Sequence, residues 1–224
     1  LPSGPPLGRA VALLALLAVV ATTAGCSDDG GSGPTTTATA DATTTSLGTD
    51  PALEAMLLEP ADLPPGFTAE TGDGGAETVT TFCIGEDAAA GLRASARALV
   101  RMRRDPVGVA LLQLIFRFTG DGAGTFVQQA DDIFDRCNEV PDAQGLAFSY
   151  GPAGAGIDEA LSGVDDFTTR FGSSVGSGSF SENIAVFRRG DIAQLVAVLA
   201  VDTARQEVDA LTETVVRAAL ARSG

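Results

Sequence analysis

The chain has no histidine, no lysine and no tryptophan, and its 14 basic residues are all arginine. Each absence removes chemistry. Without imidazole there is no Ser-His-Asp or Cys-His pair and no histidine metal ligand. Without lysine there is no Ser-Lys dyad, no Schiff base and no phosphate-loop lysine. Basic charge is also scarce: 29 acids outnumber the arginines and give a formal charge of −15. Nucleic acid needs a concentrated basic face, so it is excluded as a partner. The residue set favours a non-catalytic protein, with no catalytic residue, cofactor or metal site assigned. A hydrolase using paired carboxylates is the enzymatic alternative. What is present is a 45% apolar composition over 224 residues, enough for one domain with a core plus tails.

Arg9 precedes an apolar run from Ala10 to Ala21. As a helix this run would be about 18 Å long, short of the roughly 30 Å of a bilayer core. A charged flank, a short apolar run and small residues at its end read as a secretory signal peptide. Thr23-Ala24-Gly25-Cys26 resembles the lipobox of bacterial lipoproteins, through Ala24, Gly25 and Cys26; Thr23 stands where leucine is usual. The resemblance implies that residues 1–25 are removed and that Cys26 is lipidated. The membrane then becomes a partner, and the location is extracytoplasmic and lipid-anchored. From Ser27 to Asp50 the chain is Gly, Ser, Thr and Ala with scattered Asp. Such a tract cannot repay its ordering entropy, so residues 26–50 read as a flexible tether.

The folded part is expected over 51–224. Asp50 should cap a short helix beginning at Pro51. Thr78–Ile84 is β-branched and reads as a strand. Over Ser95–Arg104, Ala96, Ala98, Val100 and Met102 alternate with Arg97, Leu99, Arg101 and Arg103, the period of a strand. Asp105–Gly108 fits a type I turn. Val109–Phe118 then returns as a strand that is apolar on both faces, which places it centrally. Phe126, Val127, Ala130, Ile133, Phe134 and Cys137 recur at helical spacing. Short strands follow at Leu146–Tyr150 and Phe167–Phe171. Ser179–Arg188 and Ile192–Val201 form a hairpin around Arg189-Gly190-Asp191. Asp202 or Thr203 should cap a last helix with Val208, Leu211, Val215 and Ala219 as its apolar stripe. This order predicts an α+β domain with a mostly antiparallel sheet, two main helices packed on one face, and one short N-terminal helix. Strand–strand–helix occurs twice, as a weak internal duplication would produce.

With Cys26 taken by lipid in an oxidising compartment, Cys83 and Cys137 are left as a disulfide pair. The bond would close a loop worth about 4 kcal/mol of chain entropy. Two free buried thiols are the alternative. Gly172–Gly176 matches G-x-S-x-G but lies between two strands with no histidine to serve it, so a loop is expected. Gly151–Gly156 also reads as a loop, and Asp131, Asp132 and Asp135 as a solvated helix face. The informative set is Arg97, Arg101 and Arg103. They project from one side of one strand, with Arg103 opposite Ala110, Arg101 opposite Leu112 and Arg97 opposite Phe116. Guanidiniums beside apolar groups could seat an anionic or lipid-like small ligand. The alternative is an outer face where arginine stems lie over leucines and pair with acids.

From Pro51 onward the chain resembles the PknH-like extracellular sensor domains of actinobacterial kinases and lipoproteins. The matching marks are LLEPADLPPGF (57–67), Cys83 in a strand, a helix ending in Asp135-Arg136-Cys137, and a closing strand–Arg-Gly-Asp–strand–helix. The resemblance implies an α+β sheet with a cleft for an extracellular ligand. Family members often hold two disulfides, whereas this chain can form one. With no kinase attached, a signal would pass through an envelope protein partner. The resulting expectation is a lipid-anchored, extracytoplasmic ligand- or partner-binding domain. The alternative is a carrier of lipid or another hydrophobic ligand, lined by Val109–Phe118 and Ile192–Val201.

Overall fold

A computed structural model describes residues 48–70, 94–106, 108–137, 147–175 and 179–224. The expected signal peptide, nearly all of the tether, the strand at Thr78–Ile84 and Cys83 lie outside the described residues. Among those described, no helix is long and apolar enough to cross a membrane.

The chain forms an α+β unit around one sheet. Its strands are β1 (Gly48–Thr49), β2 (Phe67–Ala69), β3 (Ala94–Arg104), β4 (Val109–Phe118), β5 (Ala147–Gly151), β6 (Asp166–Val175), β7 (Phe180–Arg189) and β8 (Ile192–Val201). Its helices are α1 (Pro51–Glu54), α2 (Gly122–Cys137), α3 (Ala155–Leu161) and α4 (Arg205–Arg222). The strand order is β1-β3-β4-β8-β7-β6-β5, with β2 also on β3. All pairs are antiparallel except β1 with β3. Because β1 pairs with Ala96 and Arg97, the sheet begins just inside the stretch read as tether.

The two-sided strands settle where the helices go. On one face α2 lays Phe126, Val127, Ala130 and Phe134 on Leu114, Phe116, Ile184, Val186 and Leu195. On the other, α4 lays Val208, Val215, Val216 and Ala219 on Leu111, Ala185, Phe187, Val196 and Val198, joined by Ile157 and Leu161 of α3. The helices therefore cover both faces, correcting the expectation of one. β4 and β8 are apolar on both sides, and each side needs its own cover. The duplication fails for the same reason: α2 and α4 follow similar hairpins but lie on opposite faces, so no rotation superimposes both hairpin and helix.

Other local readings also change. The Asp105–Pro106 peptide is cis, where a trans type I turn was expected. Gly151–Gly156 is no simple loop: Gly151 ends β5 and Ala155 starts α3, which is anchored by buried Ile157 and Leu161 and by Asp158, which accepts from the Thr169 hydroxyl at 2.6 Å. Gly172–Val175 continues β6, where a loop was expected. α4 is capped at Ala204 without a side-chain bond; Thr203 donates instead to the Val201 carbonyl. At the tight turn from β7 to β8, Gly190 takes φ +60 at the first turn position, where primed hairpins favour glycine.

The N-terminal segment straps across the α4 face. Asp50 caps α1 by accepting from the Ala52 N–H at 2.9 Å, and it holds Arg117 at the same distance. Leu53, Leu58, Leu63 and Phe67 are buried. The strap's backbone needs partners there, and fully buried Gln113 supplies them. Its Oε1 accepts from the Leu58 N–H at 2.8 Å, and its Nε2 donates to Gln194 Oε1 at 3.0 Å and to the Met56 carbonyl at 3.4 Å. Arg222, at the end of α4, clamps Glu59 and Asp62 at 2.8 Å each. Gln113→Ala would leave the Leu58 N–H and the Gln194 amide buried and unpaired. We expect a loss of about 2–4 kcal/mol in urea unfolding. A loss under about 0.5 kcal/mol would mean the strap is not held through Gln113.

Candidate functional site

The register places the predicted arginines as expected. Arg97 pairs with Phe116, Arg101 with Leu112 and Arg103 with Ala110. All three project on the α2 face of the sheet. Arg97 and Arg101 are half-buried and Arg103 is exposed. Arg103 reaches Asp105 at 3.2 Å. Arg101 forms no ion pair with a carboxylate of the described residues. The arginines therefore share a face but not a role.

Beside them lies a corner of the sheet that α2 does not fill. Phe126 of α2 packs on Phe116 and Phe118, with ring centroids 5.4 and 5.5 Å apart. Phe134, two turns on, meets Tyr150 at 5.6 Å and Arg170 at 5.9 Å. The helix thus runs from one end of β4 toward the β5 edge. At the other end of β4 and β8, Ala110, Leu112 and Leu199 remain half-buried. Leu199 belongs to none of the three described core clusters, although it sits on a central strand.

One row of side chains crosses this corner: Tyr150 on β5, Gly172 on β6, Glu182 on β7, Leu199 on β8, Ala110 on β4 and Arg103 on β3. Sequence reading missed its most unusual member. Glu182 is only 2% exposed. Tyr150 donates its hydroxyl to Glu182 Oε1 at 2.5 Å, passing over Gly172. A Cβ at 172 would lie 2.9 Å from Tyr150 Cε1 and 3.0 Å from Glu182 Cγ, so the bond needs glycine there. The signal available in the sequence was parity. Glu182 alternates with Ile184 and Val186, the residues that face α2.

Burial pushes the Glu182 carboxyl up to about 7, against the lowering effect of the Tyr150 hydrogen bond. Arg170, the neighbouring cation on β6, turns away. It pairs with Asp131 and Asp135 and donates to the Thr168 hydroxyl and the Thr169 carbonyl. Two of the three helix acids read as solvated are thereby tied to the sheet. Cys137 ends α2, but its pairing with Cys83 lies outside the described residues.

No protein-family model matches the chain, and no curated protein matches it. Among solved structures, the extracellular domain of PknH from Mycobacterium tuberculosis is similar at TM-score 0.48 and 15% identity, over 76% of this chain and 97% of that one.

The sign of the Glu182 effect follows from proton counts. Between about pH 4.5 and 7 the folded chain keeps a proton that the unfolded chain has lost, so stability falls as pH rises through that window. A shift of this size corresponds to about 3 kcal/mol. Glu182→Gln keeps an acceptor for Tyr150 and removes the titration. We expect unfolding free energies at pH 5 and pH 8 to differ by about 3 kcal/mol more in the wild type than in the Gln variant. Equal pH dependence in the two proteins would show that Glu182 is solvated.

Proposed function

We propose that this chain is a lipid-anchored, extracytoplasmic, non-catalytic binding module. Its ligand is a small anionic molecule with an apolar body. The observation that carries this reading is the corner that no helix of the described residues fills: half-buried Leu112, Leu199 and Ala110 beside Arg101, a half-buried arginine with no carboxylate partner among the described residues. An anionic head would gain charge-assisted hydrogen bonds from Arg101 and, with it, Arg103. The apolar body would take the leucines out of water. The location is supported by the residues around Cys26, and Cys83 and Cys137 are proposed to be oxidised to a disulfide. The carrier alternative has less support, because the strands meant to line its cavity pack against helices on both faces.

Two measurements test the reading. Intact mass of the protein extracted from membranes should correspond to a chain starting at Cys26, with acyl groups added and the hydrogens of one disulfide missing. An unacylated chain with free thiols contradicts both assignments, and Cys26→Ser should abolish membrane retention. Arg101→Ala should weaken binding of decanesulfonate, a short anionic amphiphile, by about tenfold or more, as loss of a charge-assisted bond implies. The thermal melt should be unchanged. Wild-type affinity in that variant would leave the arginine as a solvated surface residue.

A further inference from the structure

The row that crosses the open corner has an arginine at one end and, beyond Leu199, a carboxyl group with no cation on it. Buried acids are ordinarily paired with a base. The groups facing Glu182 can be named. From β5 comes Tyr150, its hydrogen-bond donor. From β6 comes Arg170, engaged by Asp131 and Asp135 of α2. β8 and β4 contribute Ala197, Leu199, Val201, Ala110 and Leu112 on this part of the face, none of them charged. Arg103 is three strands away, about 14 Å at the usual strand spacing. On its own strand, Arg188 reaches toward Asp165. Glu182 has no counter-ion among these groups, and its cross-strand neighbour Leu199 is half-buried at the open corner.

We propose that Glu182 is the proton-linked wall of the binding site: an anionic amphiphile lying across Leu199 and Ala110 toward Arg101 and Arg103 binds together with a proton taken up by Glu182. This rests on the reading of the corner as the ligand site. Two effects of such a ligand act in the same direction. Its apolar body covers half-buried Leu199 and so moves water further from the buried acid, and its head adds negative charge to the same face. Both disfavour the carboxylate and favour the neutral acid. Because the acid already titrates near neutrality, a further rise falls within an accessible pH range. A rise of one pKa unit on binding makes affinity about tenfold higher below the transition than above it.

The test uses the full mature chain and decanesulfonate, whose own charge is constant from pH 6 to 9, kept below its micelle concentration. Calorimetric titration in two buffers of different ionisation enthalpy reads affinity and proton uptake together. In the wild type, binding should be several-fold tighter at pH 6 than at pH 9, with net proton uptake near pH 8. In Glu182→Gln, affinity should be the same at both pH values and uptake should vanish. Tyr150→Phe removes the bond that favours the carboxylate, so the midpoint of the wild-type pH dependence should move upward; this variant serves if the Gln chain does not fold. Wild-type binding that is independent of pH, or a Gln variant that keeps the wild-type pH dependence, overturns the role of Glu182. In that case loss of binding in Arg101→Ala would leave the site itself standing. No wild-type binding at any pH overturns both.

Discussion

The pairing of β4 with β8 is the constraint from which the rest of the fold follows. Both strands are apolar on both faces. Leu114, Phe116, Ala193 and Leu195 point one way, and Leu111, Ile115, Val196 and Val198 point the other. Burying each large side chain is worth about 1.5–3 kcal/mol, so neither face can be left to water. A single layer of helices would strand half of that gain. The chain answers with α2 on one side and α4 on the other, and then closes what α4 leaves with the N-terminal strap. The strap is an irregular backbone on an apolar surface, which explains why Gln113 and Gln194 sit fully buried in the middle of the sheet. Their amides carry the hydrogen bonds that the strap cannot make to itself.

Charge is distributed by a related logic. Several described arginines tie one element to another: Arg117 to Asp50 and Asp191, Arg222 to Glu59 and Asp62, and Arg170 to α2. Exposed pairs of this kind are worth under about 1 kcal/mol each, so they fix orientation more than they add stability. With acids in twofold excess, a half-buried arginine without a carboxylate runs against the pattern, and a buried carboxylate without an arginine does so too. Arg101 and Glu182 break it on the same face of the same sheet, on either side of half-buried Leu199, whereas Arg104 and Arg189, also half-buried and without a carboxylate among the described residues, sit on β3 and β7 at positions of the opposite parity. Glu182 costs stability as pH rises, and Gly172 is kept small to let Tyr150 reach it. Groups that weaken a fold and converge on one surface are where function is sought.

Strong periodicity made part of this legible in the sequence. The alternation in β3, the turn residues after it and the two-sided β4 were enough to place Arg97, Arg101 and Arg103 opposite their observed partners. The stripe of α4 was equally plain, apart from its cap. What was hidden had weak local signals. α3 carries only Ile157 and Leu161 and begins in a glycine-rich run. β6 extends through Gly172-Ser173-Ser174, which have little strand propensity and are held by β5 and β7 on either side. Glu182 looked like an ordinary polar position in Ser-Phe-Ser-Glu-Asn. Its burial depends on which strand flanks it and on a tyrosine 32 residues earlier, neither of which is local information. The two-sided apolarity of β4 was seen, but its consequence, a helix on each face, was not drawn.

The open corner can be traced to the length and path of α2. A helix of 16 residues is about 24 Å long. Its path starts over Phe116 and Phe118 on β4 and ends over Tyr150 on β5, crossing β8, β7 and β6 between them. Four strand spacings amount to about 19 Å, so the crossing consumes most of the helix. Moving from one end of the strands to the other uses the remainder. A diagonal of this length leaves the opposite corner, Ala110, Leu112 and Leu199, without a helix of the described residues above it. The same diagonal brings Phe134 down on Tyr150 and so presses the tyrosine onto Glu182. One helix path therefore both opens the apolar surface and buries the acid beside it, which is why the two features occur next to each other.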